Sequence, residues 1–232
     1  MGRKPLDDRT TAPAHATLAV VLQVRDGTLQ ALLWQRARDP EAGAWALAGG
    51  SLGSGEPLDT SIRRHLAAKV DVRELSHLEQ LGTWSDPDRV PTRRELATAY
   101  LGLIPAGVDP RLPDDTTWHP VDRPPSLAFD HGAIVLAGRE RLRAKLSYTN
   151  VGFALAPEEF SVPELRDLYV AALGHEVSAT NLKRVLLRRD VLVATGAHRG
   201  AGRAGGRPAE LFKFRSRTLE VTDPFATLRP PN

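Results

Sequence analysis

The chain has 232 residues, of which 41% are hydrophobic and 25% charged, a composition that excludes a disordered or fibrous protein and indicates one large or two modest globular domains. The absence of Cys excludes a disulfide scaffold, a thiolate metal site and a Cys nucleophile, and it favours a cytoplasmic location. The formal net charge is +3, and no apolar run approaches the roughly 20 residues that span a bilayer, so we expect no membrane partner.

The start of the chain predicts a leader followed by a β-hairpin. Residues 1–14 are polar, contain Pro and lack the apolar core of a signal peptide, so we expect a flexible leader. Two apolar runs, 16–24 and 29–34, then flank the turn-forming pair Asp26-Gly27. Apolar runs on both sides of Asp-Gly are typical of a hairpin.

The rest of the first region alternates strands and helices. Apolar residues recur every four positions in 57–70, which predicts an amphipathic helix. The apolar run 96–104 predicts a buried strand, and the Pro- and Asp-rich stretch 105–125 predicts a loop. Residues 132–146 mix apolar and basic residues at helical spacing. We therefore predict a first domain over 15–147.

The second region opens with an expected extended segment over 148–155. Ser161 is followed three residues later by Glu164, the pattern of a helix-starting capping box, and we expect this helix to end at Gly174. Ser178 is placed to cap a second helix.

Two strands and a loop complete this region. The sequence predicts strands over 191–195 and 209–214, joined by the Gly- and Arg-rich loop 196–208. The order helix, turn, helix, strand, basic loop, strand is that of a winged helix-turn-helix. We therefore predict a second, DNA-binding domain over 148–232.

The second helix of this domain has an apolar side and a polar side. Leu182, Val185 and Leu186 are expected to face the core. The outward residues that would meet base edges and phosphates are Thr180, Asn181, Lys183, Arg184 and Arg188. The wing adds the candidates His198, Arg199, Arg203 and Arg207. The alternative is a small α+β domain with a solvated helix.

Charge is distributed unevenly between the two regions. Residues 1–160 carry a net charge of −2, whereas 180–217 hold ten basic residues and two acidic ones, a net charge of +8. A short basic block on an otherwise balanced chain indicates an anionic partner, most often nucleic acid, or else a solvated charged surface.

Residues 50–72 read GSLGSGEPLDTSIRRHLAAKVDV and follow the spacing of the Nudix signature, G-x5-E-x7-R-E-U-x-E-E-x-G-U, in which U is a bulky aliphatic residue. The matching positions are Gly50, Glu56, Arg64, Leu66 and Val72. The preceding Trp45-x-Leu47-x-Gly49-Gly50 is similar to the family as well. This resemblance implies an α+β chain whose first domain is a Nudix-like α/β/α sandwich with a mixed sheet.

The departures from the signature fall on its metal-binding part. His65 replaces a Glu, Ala68 and Lys69 replace the Glu-Glu pair, and Asp71 replaces the Gly. In the Nudix family the helix glutamates hold a divalent cation, which requires oxygen ligands. We therefore expect neither metal nor catalysis here. Three other carboxylates stand nearby in sequence, Asp71, Glu74 and Glu95, and we expect only Asp71 to lie near the relevant face.

A degenerate Nudix signature joined to a winged helix resembles the Nudix-related transcriptional regulators of NAD metabolism, the NrtR family. The stretches 84–89, 129–131 and 205–208 look like the family too. The resemblance covers roughly residues 15–217. It implies a homodimeric repressor that binds a palindromic operator near NAD biosynthesis or salvage genes. It also implies an effector, ADP-ribose or a related NAD metabolite, in the Nudix-like cleft, with no cofactor.

A pyrophosphate ligand without a metal would need cations. The candidates in the first region are Arg36, Arg38, Arg64, Lys69, Arg89 and Arg93. One hypothesis is that Lys69 replaces the metal as a phosphate partner. Three tryptophans that could stack on an adenine, or simply fill the core, are Trp34, Trp45 and Trp84.

Three functions remain open from the sequence. The first is the ligand-responsive repressor, the second an ADP-ribose pyrophosphatase with rearranged metal ligands, and the third a protein-interaction module. The seven His residues show no metal-ligand spacing, and we interpret His131 as a contact at the start of a helix.

Overall fold

We describe residues 12–200 and 208–223 of a computed structural model of the chain. The strands in chain order are β1 (Ala14–Arg25), β2 (Thr28–Gln35), β3 (Trp45–Ala46), β4 (Ala48–Ser51), β5 (His77–Trp84), β6 (Glu95–Leu103), β7 (Thr116–Pro120), β8 (Phe160–Ser161), β9 (Leu192–Arg199) and β10 (Ala209–Phe214). The helices are α1 (Leu58–Val70), α2 (His131–Tyr148), α3 (Val162–Leu173) and α4 (Ala179–Arg188), with a short 3-10 helix at Val151–Ala154. Within this part of the chain, no helix has the length and apolarity of a membrane span.

Seven of the described strands form one mixed sheet around β1. Strand β1 pairs in parallel with β6, from Ala14 opposite Glu95 to Leu22 opposite Leu103. It pairs in the antiparallel sense with β2 and β4. Strand β5 lies antiparallel to β6, and β3 and β7 lie antiparallel to β2. The mixed sheet predicted from the Nudix resemblance is therefore confirmed.

Strand β1 is buried on both faces, which explains its unbroken apolar sequence. Because alternate side chains of a strand point to opposite faces, Leu18, Val20 and Leu22 join one core layer and Ala19 and Val21 join the other. Helix α1 covers the second layer and α2 covers the first. The sheet is therefore the middle layer of the expected α/β/α sandwich.

Helix α2 packs closely on the sheet. A Cβ atom placed on Gly138 would lie 2.9 Å from Cγ1 of Val20, closer than real side chains come. The absence of a side chain at this position lets the helix backbone approach β1 directly.

The second region forms the predicted winged helix. Strands β8, β10 and β9 make a three-stranded sheet beside α3 and α4. At the start of α3, the Ser161 backbone N–H donates to Glu164 Oε2 at 2.7 Å, and the capping box is complete. Gly174 ends the helix with a left-handed φ of 75°, and the Ser178 side chain caps α4. These cap predictions are confirmed.

The connection between the two regions is not extended, as we had expected for 148–155. Helix α2 continues to Tyr148 and the 3-10 helix follows, with Val151 and Phe153 buried. Asn150 stabilises this bend, since its Nδ2 donates to Thr218 O at 2.8 Å and its Oδ1 accepts from the Glu220 N–H at 2.7 Å. The apolar residues of this segment correctly indicated that it is buried. Burial alone does not distinguish an extended backbone from a helical one.

A single core cluster crosses from one region to the other. It contains Leu18 of β1, Leu142 of α2, Phe153 of the 3-10 helix, Leu165 of α3 and Leu186 of α4. The two regions therefore share one continuous apolar interior.

Three further predictions need correction, and one strand was missed. Strand β5 was not predicted, and β7 lies inside the predicted loop 105–125. Strand β9 extends to Arg199, so His198 and Arg199 are strand residues rather than loop residues. Position 14 belongs to β1, and 1–11 of the expected leader lie outside the described residues. The domain boundary at 147/148 stays a prediction.

Candidate functional site

The loop before α1 is shaped by an ion pair between two signature residues. Glu56 Oε1 accepts a hydrogen bond from the Gly53 N–H at 2.6 Å, and Arg64 Nε donates to Glu56 Oε2 at 3.0 Å. The hydrogen bond from Arg64, together with that from Gly53, holds the pKa of Glu56 at about 2. Both signature residues are thus engaged in holding the loop.

Two of the substituted signature positions have structural roles. The buried ring of His65 lies against Gly50, where a Cβ would come within 2.5 Å of His65 Cε1, and His65 Nε2 lies 3.0 Å from Ser51 O. Asp71 ends α1 with a left-handed φ of 50°. A glycine adopts that backbone conformation without strain, and the signature has a glycine at this position.

A cavity of about 470 Å³ opens beside this loop and helix. Its walls include Leu18 of β1, Gly50 of β4, Lys69 of α1, Glu95 of β6 and His131 of α2. The sheet and both flanking helices therefore contribute to it. Its volume lies in the range of small-molecule sites.

Lys69 and Arg36 line the cavity against aromatic rings. Lys69 Nζ lies 4.4 Å from the centre of the Trp34 ring, and the Arg36 guanidinium lies 4.7 Å from the centre of the Phe129 ring. Burial and the nearby Arg36 lower the pKa of Lys69. Both cations border the same cavity, which favours an anionic ligand there.

Arg89 and Arg93 also line the cavity, but carboxylates of the protein neutralise them. Arg89 is buried and donates to both oxygens of Asp130, at 2.9 and 2.8 Å, and to Glu95 Oε1 at 3.3 Å. Arg93 donates to Glu95 Oε2. These ion pairs connect Glu95, the first residue of β6, to Asp130, the residue that precedes α2.

The two remaining cationic candidates lie away from the cavity lining. Arg38 is exposed, and Arg64 is occupied by Glu56. Of the three tryptophans, Trp34 lines the cavity, whereas Trp45 and Trp84 pack against the core.

Phe129 and Asp130 are site residues that the sequence reasoning did not select. Phe129 lies beneath Arg36, and Asp130 holds Arg89. The sequence does offer one sign of them, because the stretch 129–131 is similar to the NrtR family.

The carboxylates present do not fit a divalent cation of the Nudix type. The three signature positions that would supply them hold His65, Ala68 and Lys69. Asp71 pairs with Arg73 and does not line the cavity. Glu95 does line it, contrary to our expectation that only Asp71 would be near, but two arginines neutralise it. Asp39 is the other carboxylate in the described lining. Within 12–200 and 208–223, no cluster of three potential His or carboxylate ligands occurs.

The second candidate surface is the outward side of α4. Leu182 and Leu186 are buried, and Val185 is half-buried. The exposed residues among the predicted contacts of this helix are Thr180, Asn181, Arg184 and Arg188. Arg184 Nη2 donates to Asn181 Oδ1 at 2.7 Å, which places an amide and a guanidinium together. Such groups hydrogen-bond base edges and phosphates.

Lys183 is half-buried and differs from the others on this helix. Its Nζ lies 3.1 Å from Glu210 Oε2 and 4.6 Å from the centre of the Phe212 ring. His198 and Arg199 are exposed on β9, and Arg199 pairs with Glu164. Arg203 and Arg207 lie outside the described residues. The described cations of α4 and β9 therefore lie in the same domain. Two of them, Lys183 and Arg199, are already paired with carboxylates of the protein.

Comparison with known proteins identifies both regions. Residues 14–136 match the NUDIX domain, and residues 152–214 match the NrtR DNA-binding winged helix domain. The ADPR responsive transcriptional repressor NtrR of Acinetobacter baylyi is 28% identical over 210 residues, which cover 88% of this chain and 82% of that protein.

Two solved structures are similar to this chain, one over both domains and one over the NUDIX domain alone. NrtR of Shewanella oneidensis complexed with a 27mer DNA is 32% identical, with a TM-score of 0.73 over 86% of this chain and 93% of that one. The NUDIX domain of the same NrtR complexed with ADP ribose is 30% identical, with a TM-score of 0.50 over 56% of this chain and 89% of that one. With both domains matched in the same order along the chain, this protein belongs to the NrtR family.

Proposed function

We propose that this chain is a transcriptional repressor of NAD biosynthesis or salvage genes that responds to ADP-ribose or a related NAD metabolite in the cytoplasm. The observation that carries the proposal is the presence, in one chain, of a cationic cavity and an exposed polar helix in a winged helix domain. The relatives support it, since one is an ADPR responsive repressor and another binds DNA in its crystal structure.

Helix α4 and the wing would bind the duplex. The exposed side of α4 supplies hydrogen-bonding groups for the major groove, and the wing supplies cations for the phosphates. The net charge of +8 over residues 180–217 favours an anionic partner. The predicted contacts are those named above: Thr180, Asn181, Lys183, Arg184, Arg188, His198, Arg199, Arg203 and Arg207.

The cavity would bind the effector. Its volume suits a small molecule, and its cations suit a pyrophosphate. Of the six cations selected from the sequence, the four in its lining are Arg36, Lys69, Arg89 and Arg93.

We further propose that the Nudix domain is not catalytic. The relatives are regulators that carry a Nudix domain. The carboxylates that would hold a metal are replaced by groups that cannot supply anionic oxygens. For the alternative of a pyrophosphatase with rearranged ligands, the described cavity lining offers two carboxylates, Glu95 and Asp39, and Glu95 is committed to arginines. One remaining carboxylate is a poor substitute for the lost helix glutamates.

The repressor would act as a homodimer on a palindromic operator. A two-fold operator is matched by two recognition helices about 34 Å apart, and one chain supplies one such helix. Sedimentation of the chain with and without a palindromic duplex measures both stoichiometries.

DNA binding is tested by selecting sequences from a random duplex library and titrating the selected and scrambled duplexes by fluorescence anisotropy. The expected result is a preference for a palindrome and a log-log salt slope of about 0.9 for each phosphate contact. ADP-ribose should change the affinity for the selected duplex. Binding that ignores sequence and salt contradicts the proposal, as does brisk Mg²⁺-dependent hydrolysis of ADP-ribose.

A further inference from the structure

The four cations in the cavity lining fall into two kinds of surroundings. Arg89 and Arg93 are each paired with carboxylates of the protein. Arg36 and Lys69 lie over aromatic rings, and neither forms an ion pair with a residue in 12–200 or 208–223. The positive charge available to a ligand therefore comes from Arg36 and Lys69, and it exceeds the single negative charge of Asp39, which also lines the cavity.

Lys69 stands where the Nudix signature has the second residue of its Glu-Glu pair. Its ammonium lies over the Trp34 ring, and that ring is fixed because Trp34 Nε1 donates to Leu47 O at 3.0 Å. An aromatic face attracts an ammonium through its quadrupole and leaves its net charge intact. In place of a metal-binding carboxylate, this position therefore has an ammonium that the Trp34 ring positions but that no carboxylate in the described residues neutralises.

We propose that Lys69 and Arg36 take the place of the divalent cation and bind the diphosphate of the effector directly, so that binding requires no Mg²⁺. This inference rests on the proposed function and deepens it. A diphosphate diester carries one negative charge on each phosphate, which two cations match. The guanidinium of Arg36 can donate two parallel hydrogen bonds, whereas the ammonium of Lys69 acts as a compact point charge.

The surroundings favour an anion and disfavour a metal. Arg89 and Arg93 neutralise Glu95, so Asp39 is the one carboxylate of the described lining that is left for Mg²⁺. The ammonium of Lys69 would repel a divalent cation. Burial and Arg36 also lower the pKa of Lys69, and an anion between the two cations would relieve this unfavourable interaction.

The test is calorimetric titration of the full-length protein with ADP-ribose and, separately, with inorganic pyrophosphate, each in EDTA and in Mg²⁺. Lys69→Met keeps an apolar stem for Trp34 and removes the charge. Arg63→Met is the matched control, because Arg63 is exposed on α1 and absent from the lining. The affinity of each variant for DNA without ligand reports whether it has folded, and Arg36→Met replaces Lys69→Met if the latter does not fold.

For the wild type we expect ADP-ribose affinities in EDTA and in Mg²⁺ that agree within about twofold. Loss of a charge-assisted contact should weaken the binding of both anions to Lys69→Met about tenfold or more, whereas Arg63→Met should stay within about twofold. Wild-type binding of ADP-ribose that is lost in EDTA overturns the inference, as does a folded Lys69→Met protein with wild-type affinities. Lys69-dependent binding of pyrophosphate without binding of ADP-ribose supports the inference and contradicts the proposed effector. Binding of neither anion overturns both.

Discussion

His131 Nδ1 accepts a hydrogen bond from the backbone N–H of Leu47 at 3.0 Å. The bond ties the first residue of α2 to the residue between β3 and β4, which agrees with the interpretation of His131 as a helix-start contact. Burial lowers the pKa of His131 to about 4, and the nearby Arg89 and Arg36 act in the same direction, whereas Asp130 opposes them. The buried ring is therefore neutral at pH 7, as an acceptor at Nδ1 requires.

This pKa predicts a loss of stability in mild acid. Between the unfolded value near 6.5 and the folded value of about 4, the unfolded chain binds a proton that the folded chain does not. The contribution of His131 to the free energy of unfolding is thus complete above pH 6.5 and falls by about 2 kcal/mol by pH 5. Urea denaturation at pH 7 and pH 5 measures it.

His131→Asn is the control, because its amide oxygen can accept the same bond and does not titrate. The variant should show a smaller loss between pH 7 and pH 5. Parallel losses in the two proteins would exclude His131 as the titrating group.

Removal of the Arg89 side chain should destabilise the fold strongly. The Arg89 side chain is 2% exposed and serves both Asp130 and Glu95, so Arg89→Met leaves two carboxylates without their shared partner. Breaking a buried pair in this way costs about 3–5 kcal/mol. Arg93, with a side chain 55% exposed, provides the comparison, and Arg93→Met should cost no more than about 1 kcal/mol. Equal losses of unfolding free energy in the two variants would refute the distinction.

Arg184→Ala should weaken operator binding selectively. Arg184 is exposed on α4 beside Asn181, and a guanidinium that reaches a base contributes about 1–3 kcal/mol of discrimination. Arg203→Ala, in the wing, should weaken binding to all sequences alike. Gel-shift titrations with operator and scrambled duplexes compare the two, and identical behaviour would contradict these roles.

Glu210→Gln should tighten the binding of DNA. Glu210 pairs with Lys183 in the absence of DNA, so a phosphate must compete with this carboxylate. Exposed pairs are worth about 0.2–1 kcal/mol, which predicts a gain in affinity of up to about fivefold. Glu158→Gln, at an exposed position before the domain's first strand, is the matched control for the change in net charge. An equal gain in both variants would show that only overall charge matters.

The sequence predicted those elements whose signal is local. The capping box at Ser161 and Glu164, the glycine at 174 and the apolar run of β1 each determine their element through neighbouring residues. Strand β5 was missed because its residues are only partly buried and do not alternate regularly between apolar and polar. The prediction of an extended segment over 148–155 was wrong, because the bend there depends on contacts of Asn150 with residues 218–220, far along the chain.

The site could be predicted in part for the same reason. The signature spacing placed Lys69 beside the ligand space, since spacing along one helix is local information. The pairing of Arg89 with Asp130 could not be predicted, because the two residues are 41 positions apart and only the fold brings them together. The role of Phe129 beneath Arg36 likewise depends on tertiary contact.

The cluster that joins Leu18, in the cavity wall, to Leu186, under the recognition helix, has a thermodynamic consequence. Because the two halves share this interior, we expect them to unfold together rather than separately. A compound that fills the cavity should then raise the melting temperature of the DNA-binding half together with that of the Nudix half. A simple dye-based melting scan of the intact chain can therefore screen metabolites for the whole regulator.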